Sequence, residues 1–403
     1  MERHSTSTTG GIKQHFGRRP AKIVAIAAVV VAGTVPAALL ASQGAGASGT
    51  ARPAATPANP PALHNATPNG AAAVRAYWTP SRLAAAKPAV AHVSGQGVQA
   101  SRAAATSGTP GVAGGITPGG VAGKTVRGAA LPDAGTVTPN DGSYPGPNDT
   151  FDYPGVLKTF PTATIGKLFF TEPGGNFVCS AAATYGGGSL DMVWTAGHCV
   201  GPQGGGSYYA NWLFCPQYKN KESAVGCWTW ALAQQTGGWY FNGFYSADYA
   251  YLYMASSSDK VALHLANAVG GLGFAWNFGR DQFWQDFGYP SASPYNGKLL
   301  VVTSAEHRYD VTNPGGDSGP QDNSIGSQQT PGFSGGPWLL SFGPSNAKDP
   351  IGHGNYINSV NSYYFTSGGP GGGNEFGHEI QGPYFDTTAC NFWKGGSGYG
   401  GTC

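Results

Sequence analysis

From Asp152 onward, apolar and polar residues alternate in short runs separated by Gly, Asn, Pro and Ser. The runs are Thr164–Thr171, Phe177–Thr184, Asp191–Thr195, Trp228–Gln234, Asp248–Met254, Leu299–Ser304, Trp338–Phe342 and Ile357–Phe365. Their shortness, their β-branched and aromatic content and the turn signals between them predict an all-β barrel or sandwich. Within Asp248–Met254, strand alternation sets Asp248, Ala250, Leu252 and Met254 on one face and the three tyrosines on the other. Helical periodicity after residue 152 is weak, with one trace near Asp259–Ala268, and no fixed-period repeat is present.

The N-terminal third reads differently. Arg18, Arg19 and Lys22 precede an apolar run from Ile23 to Ala41, and Ala45-Gly46-Ala47 then offers small residues for cleavage. Basic, apolar and small segments in that order predict a signal peptide over 1–47. An uncleaved anchor is the alternative, because the run is almost long enough to span a membrane. Arg18-Arg19 hints at twin-arginine export, although its flanking residues fit poorly. Residues 48–143 are rich in Ala, Pro, Gly, Ser and Thr, a composition that cannot bury enough apolar surface to offset its ordering entropy. A disordered pro-segment is therefore expected there, followed by a folded domain over 144–403. The island Ala76-Tyr77-Trp78-Thr79-Pro80-Ser81-Arg82-Leu83 either docks on that domain or is an isolated turn.

Composition sharpens this division. The 403 residues include 65 Gly, 30 Pro and only 10% charged residues, yet nearly all the aromatic residues follow residue 143. Through Asp133 there are 12 Lys+Arg and 2 Asp+Glu, a net of +10; the rest carries 10 and 18, a net of −8. An acidic folded part argues against nucleic acid as a partner. The basic leader either associates with the acidic domain or is merely low-complexity sequence with a few basic residues. Cys179, Cys199, Cys215, Cys227, Cys390 and Cys403 all lie in the C-terminal part, and behind an export signal they read as a disulfide framework. Sequence neighbours suggest Cys179–Cys199, Cys215–Cys227 and Cys390–Cys403. Zinc is the competing use, but no Cys-x-x-Cys pair or histidine cluster accompanies them, and no metal is expected.

Three motifs carry chemistry. In Val193-Trp194-Thr195-Ala196-Gly197-His198-Cys199 an apolar strand ends at small residues that leave room for a general base to approach a nucleophile. Asp248, at the head of an apolar face, is costly to bury unless paired, and its natural partner is the second nitrogen of a histidine. Thr330-Pro331-Gly332-Phe333-Ser334-Gly335-Gly336-Pro337-Trp338 surrounds a serine with open backbone, so that the amides of Gly332 and Ser334 converge on a developing oxyanion. Separately, each has a plain structural reading: a histidine beside a cysteine, a strand-entry aspartate, a Gly-rich turn. Gly315-Gly316-Asp317-Ser318-Gly319-Pro320 is a rival for the nucleophile loop, but it lacks the second glycine and an apolar strand behind it.

The order His198, Asp248, Ser334, set in Thr-Ala-Gly-His-Cys, Asp-Tyr-Ala and Ser-Gly-Gly-Pro, resembles the chymotrypsin/trypsin superfamily of serine peptidases. More narrowly it is similar to secreted bacterial trypsin-like peptidases related to glutamyl endopeptidases. Ile165–Phe170, Gly288-Tyr289-Pro290, Asn361-Ser362-Tyr363, Gly382-Pro383-Tyr384-Phe385 and the leader's Tyr77-Trp78-Thr79-Pro80 share that likeness, which spans roughly 155–390. It implies two antiparallel six-stranded β-barrels with the active site between them, His198 and Asp248 from the first and Ser334 from the second. It also favours the Cys179–Cys199 bridge. Ser362-Tyr363 resembles the strand that pairs with the substrate backbone beside the specificity pocket. Two departures stand out. Phe333 replaces the aspartate that in trypsin pairs with the new N-terminus, so the oxyanion loop is expected to be held by packing. The cysteine that usually precedes this loop is absent from 321–333.

The implied activity is secreted, extracellular endopeptidase action on polypeptides through an acyl-enzyme, without cofactor, by a monomer with no stable membrane association after signal cleavage. Gly326-Ser327-Gln328-Gln329 has no acidic residue where trypsin has one, and Asn361 stands where glutamate preference usually involves a histidine. Uncharged side chains are the expected preference. Two other classes compete: a non-catalytic module on a peptidase scaffold that binds glycan or cell wall through its many aromatics, and a surface-anchored structural protein.

Overall fold

Runs of β-branched and aromatic residues fold as antiparallel strands in the computed structural model, which describes residues 59–65, 69–89, 91–101, 108–119, 149–152, 157–343, 354–367, 369–370 and 379–403. The expected signal peptide, 1–47, lies outside them. The first six strands are β1 (Ile165–Glu172), β2 (Gly175–Ala183), β3 (Met192–Thr195), β4 (Ala210–Pro216), β5 (Trp228–Gln235) and β6 (Ala250–Ser258). They pair in the order β5–β4–β1–β2–β3–β6, and β6 returns to β5, so the sheet closes as a six-stranded antiparallel barrel. Closure pairs each strand on both sides, except for stretches of β5 and β2 that reach past their barrel neighbours. Its core includes Leu168, Phe214, Val193, Trp228 and Leu252, each fully buried.

The second half contributes β7 (Phe283–Gly288), β8 (Val301–Val311), β9 (Asp322–Gly326), β10 (Pro337–Leu340), β11 (Tyr356–Val360), β12 (Tyr363–Ser367) and β13 (Glu379–Gly382). Asn361 and Ser362 interrupt what is otherwise one strand, β11 and β12. Taken as one, they complete a circuit β7–β8–β9–β13–β12/β11–β10–β7 of antiparallel pairs. The expected all-β fold of two six-stranded barrels is thus the observed one, with extra strands added to both. A buried cluster of Trp284, Ile325, Phe333, Trp338 and Ile380 fills the second barrel.

Sequence reading gave the segment 48–143 no structure of its own, but its described residues lie folded against the barrels. α1 (Gly70–Tyr77) and α2 (Pro80–Ala85) surround Trp78, which is buried, donates to Asn211 O at 2.6 Å and packs on Phe169. The island Ala76–Leu83 therefore docks. Leu63–His64 extends the first barrel beside β5, Ala100–Ser101 pairs with β8, and Gly111–Ala113 pairs with Gly273–Trp276. These short segments cannot form a core, but they cover apolar barrel surface that already exists. Tyr249, buried against alternation, is covered from the C-terminal side instead: it stacks on Trp194 under Phe385 and Phe392.

α3 (Thr387–Ser397) was not expected from helical periodicity. Asp386 caps it, accepting from Thr388 N at 2.7 Å and Ala389 N at 3.0 Å, and Ala389, Phe392, Trp393 and Gly396 form its buried face. Gly395-Gly396 masks the periodicity. The weak trace near Asp259–Ala268 condenses to a single turn, Leu265–Val269. Three disulfides join Cys179–Cys199, Cys215–Cys227 and Cys390–Cys403, the pairs that sequence neighbourhood suggested. Among the described residues no helix is long and apolar enough to cross a membrane.

Candidate active site

β3 ends at Thr195, and the chain turns through Ala196 into the single helical turn Gly197–Cys199, which carries His198. A second turn, Tyr245–Ala247, delivers Asp248 ahead of β6. The two side chains meet: His198 Nδ1 lies 2.7 Å from Asp248 Oδ2, and the His198 amide donates to Oδ1 at 2.7 Å. Ser362 Oγ donates to Asp248 Oδ2 at 2.5 Å. Asp248 is fully buried, a position that a carboxylate tolerates because these donors replace water. A carboxylate at Nδ1 fixes the proton there and leaves Nε2 as the basic nitrogen. Gly197 is required by close approach, since a Cβ there would lie 2.9 Å from Trp239 Cγ and 3.0 Å from Asp248 Oδ1. The small residues before His198 thus make room for its aspartate rather than for the nucleophile.

Ser334 lies in the loop before β10, clamped from both barrels. Ser180 on β2 donates its amide to Ser334 O at 2.7 Å and its hydroxyl to Gly332 O at 2.9 Å, while accepting from Tyr289 N at 2.8 Å. Gly335 has φ +78°, and a Cβ there would come within 2.0 Å of Thr195 Oγ1 beside the histidine turn. Its amide donates to Asn361 O at 2.8 Å. Phe333 is fully buried in the second core, as expected of a loop held by packing.

Packing is only part of the support. Under the loop lies Asp286, fully buried on β7, which accepts from Asn361 Nδ2 at 2.6 Å, Gln329 Nε2 at 2.9 Å and Ser327 Oγ at 3.5 Å. Burial pushes its carboxyl up to about 8, against those three donors. Trp338 Nε1 donates to Asn361 Oδ1 at 2.7 Å, which fixes the amide that also reaches Phe333 O at 3.5 Å. Ser180 and Asp286 were not singled out from the sequence, and Gln329 and Asn361 were read there only as pocket positions, not as supports of the Ser334 loop. Asp286 had a signal: alternation along Trp284, Asp286 and Gly288 puts a carboxyl on the face of a buried tryptophan.

The remaining candidates are placed as follows. Ser362 holds Asp248, and Tyr363 begins β12 with its hydroxyl donating to buried Asp322 at 2.9 Å. Ser318 is exposed, and its neighbour Asp317 accepts from Ser246 N at 2.8 Å and Ser246 Oγ at 2.9 Å, steadying the turn before Asp248. Cys179, His198 and Cys199 cluster, but both sulfurs are in a disulfide and Nδ1 faces Asp248, so the group offers no thiolate to a metal. The Gly332 amide, proposed for an oxyanion, donates at 3.1 Å to the carbonyl of Ala89 in the leader, and Ser334 Oγ donates to the same oxygen at 3.5 Å.

No family model and no curated protein matches the chain. Among solved structures, the protease Anisep from Arthrobacter nicotinovorans is 30% identical, covers 62% of this chain and 100% of its own, and has a TM-score of 0.50. The chain belongs to the trypsin-like serine peptidases. The serine protease AL20 from an extremophilic microorganism is also 30% identical, over 59% of this chain and 97% of its own, with a TM-score of 0.48. A Glu endopeptidase is 16% identical over 62% and 96%, with a TM-score of 0.45. Membership of this family agrees with the recognition made from the motifs around His198, Asp248 and Ser334.

Proposed function

We propose that the chain is an exported serine endopeptidase in which His198, Asp248 and Ser334 are the catalytic triad. The supporting observation is a peptide carbonyl, that of Ala89, held by the Gly332 amide and touched by Ser334 Oγ, together with a His198–Asp248 pair whose carboxylate is buried. In the reaction, Ser334 Oγ bonds to the substrate's carbonyl carbon while its proton passes to His198 Nε2, and Asp248 stabilises the imidazolium. The Gly332 and Ser334 amides hold the oxyanion, each such donor being worth roughly 10²–10³ in rate. Collapse breaks the C–N bond, His198 protonates the leaving amine, and water then hydrolyses the ester by the same route. The three disulfides fit an oxidising, extracellular setting, and the leader acts as a pro-segment removed on maturation.

A fluorophosphonate probe on the processed, secreted protein tests this reading, because it reacts only with a serine made nucleophilic by its surroundings. Labelling should fall on Ser334, vanish in Ser334→Ala and survive in Ser318→Ala. Absence of labelling in folded, processed protein would move the weight to a binding module on the same scaffold. For specificity, Ser327 is committed to Asp286 and Gln329 to the same carboxylate, so no acidic or basic group of the 326–329 stretch is available to a charged side chain. Uncharged residues are the expected preference, and a tenfold preference for Arg or Glu among paired peptides would overturn it.

A further inference from the structure

The leader does more than cover barrel surface. Lys87-Pro88 pairs in parallel with Phe177-Val178 of β2, and the Ala89 amide donates to Val178 O at 2.9 Å. The Ala89 carbonyl then accepts from the Gly332 amide, one of the two donors proposed for an oxyanion. Beyond it, Ala91–Ser94 pairs in parallel with β12, in the register Ala91↔Tyr363 and Val93↔Phe365, and Gly95 N closes the pairing on Ser367 O at 2.7 Å. Ala91 and Val93 pack into an apolar groove walled by Tyr309, Val311, Tyr363 and Phe365. The leader thus crosses the cleft from β2 to β12 as a bound peptide.

Two features separate this peptide from a substrate. Ser334 is fully buried beneath it, and Ser334 Oγ donates to the carbonyl oxygen, while His198 Nε2 is buried with no hydrogen-bond partner. The base and the nucleophile are therefore not joined. The second feature is direction. In a substrate the acyl half precedes the carbonyl and lies along Ser362-Tyr363, while the leaving amine departs on the β2 side, where the Cys179–Cys199 bridge ties the histidine turn. In the leader, the residues that follow Ala89 are the ones along Tyr363, so the amine that would leave lies on the wrong side for proton transfer from His198.

We propose that residues 87–89 and 91–94 act as a built-in peptide inhibitor that lies in the cleft in the direction opposite to a substrate. It takes the oxyanion site with Ala89 O and the apolar groove with Ala91 and Val93, and it is not cut by the site it fills. The proposal rests on Ser334 being the nucleophile, so its test reads direction and inhibition separately.

Direction is read by disulfide trapping in the full chain carrying Ser334→Ala. Val93→Cys with Phe365→Cys are register partners in the parallel arrangement, whereas Ala91→Cys with Phe365→Cys become partners only if the leader runs the other way. Diagonal neighbours are too far apart for a disulfide. Bridging of the first pair is expected, and bridging of the second instead would overturn the proposal. Inhibition is read by the rate of fluorophosphonate labelling in the otherwise native full chain. Ala91→Asp with Val93→Asp, which places two carboxylates in the apolar groove, should raise it at least tenfold over the intact chain. Ala89→Pro, which removes the amide bonded to Val178 O, is an independent release and should do the same. If the processed protein labels but the intact and released chains label equally, inhibition is overturned alone. If no form labels while the parallel pair bridges, Ser334 is not the nucleophile, and inhibition fails with it.

Discussion

Raising the pH from about 4 to about 8 should weaken this fold through one carboxyl, that of Asp286. It is fully buried, and burial lifts it from 3.8 to about 8 although Asn361, Ser327 and Gln329 all donate to it. In the unfolded chain the group ionises near its ordinary value. Between the two values the folded chain retains a proton that the unfolded chain has released. Its stabilising contribution is therefore complete below the unfolded pKa and lost as the pH rises through the folded one, at up to about 1.36 kcal/mol per unit. Across the window this amounts to several kcal/mol as an upper bound; a loss of about 2 kcal/mol remains large against a net stability of roughly 5–15 kcal/mol. A protonated Asp286 needs an acceptor. Gln329 Oε1, buried and without a partner, becomes one if the amide turns over. The same turn accommodates Asp286→Asn. Urea unfolding of the parent and Asp286→Asn, both carrying Ser334→Ala to prevent self-digestion, compares them at mildly acidic and mildly alkaline pH. The substitution should be near neutral in acid and stabilising in alkali, with the gap widening by about 2 kcal/mol or more. A gap constant to within about 0.5 kcal/mol would refute the reasoning, because it would mean that the three donors outweigh burial and Asp286 is ionised throughout.

Lys167 works in the opposite sense: burial lowers its ammonium from 10.5 to about 7, so stability from this group rises with pH between those values, and Lys167→Met should abolish that rise in the same unfolding series. Ser180→Ala leaves the Tyr289 amide without its acceptor and Gly332 O without its donor, at a cost of about 1–3 kcal/mol. Labelling of Ser334 in processed protein should also slow by more than the stability loss explains, and an unchanged labelling rate would deny Ser180 a part in shaping the loop. Gly335→Ala puts a Cβ 2.0 Å from Thr195 Oγ1 at φ +78°, and should abolish labelling, or prevent folding, where Gly279→Ala in open space has no effect on either.

The motifs around His198, Asp248 and Ser334 were legible because each is a local statement: a strand end, a turn and a residue of suggestive chemistry lie within a few positions of one another. Asp286, Asn361 and Gln329 are joined across 43 to 75 positions, and nothing local marks them as a group. β9 was missed for a related reason. Asp322–Gly326 is polar in sequence yet fully buried, because its side chains find Arg280, Gln381 and Tyr363 on other elements. Burial of that kind leaves no hydrophobic pattern to read.

The leader poses the more instructive difficulty. Its composition excludes a core of its own, and that inference was sound, but a segment without a core can still order on a surface that offers unpaired backbone and apolar grooves. Trp78 announced one such contact because a tryptophan in an Ala-rich stretch is conspicuous. Ala91 and Val93 announced nothing, being small residues among many others. Even had their alternation been recognised, it reads the same in either direction along the chain, since every second residue faces the groove whichever way the strand runs. Direction decides whether a peptide in this cleft presents a leaving amine on the side of His198 or on the side of Tyr363. It resides in the backbone register Ala91↔Tyr363 and Val93↔Phe365, a property of the pairing rather than of either sequence.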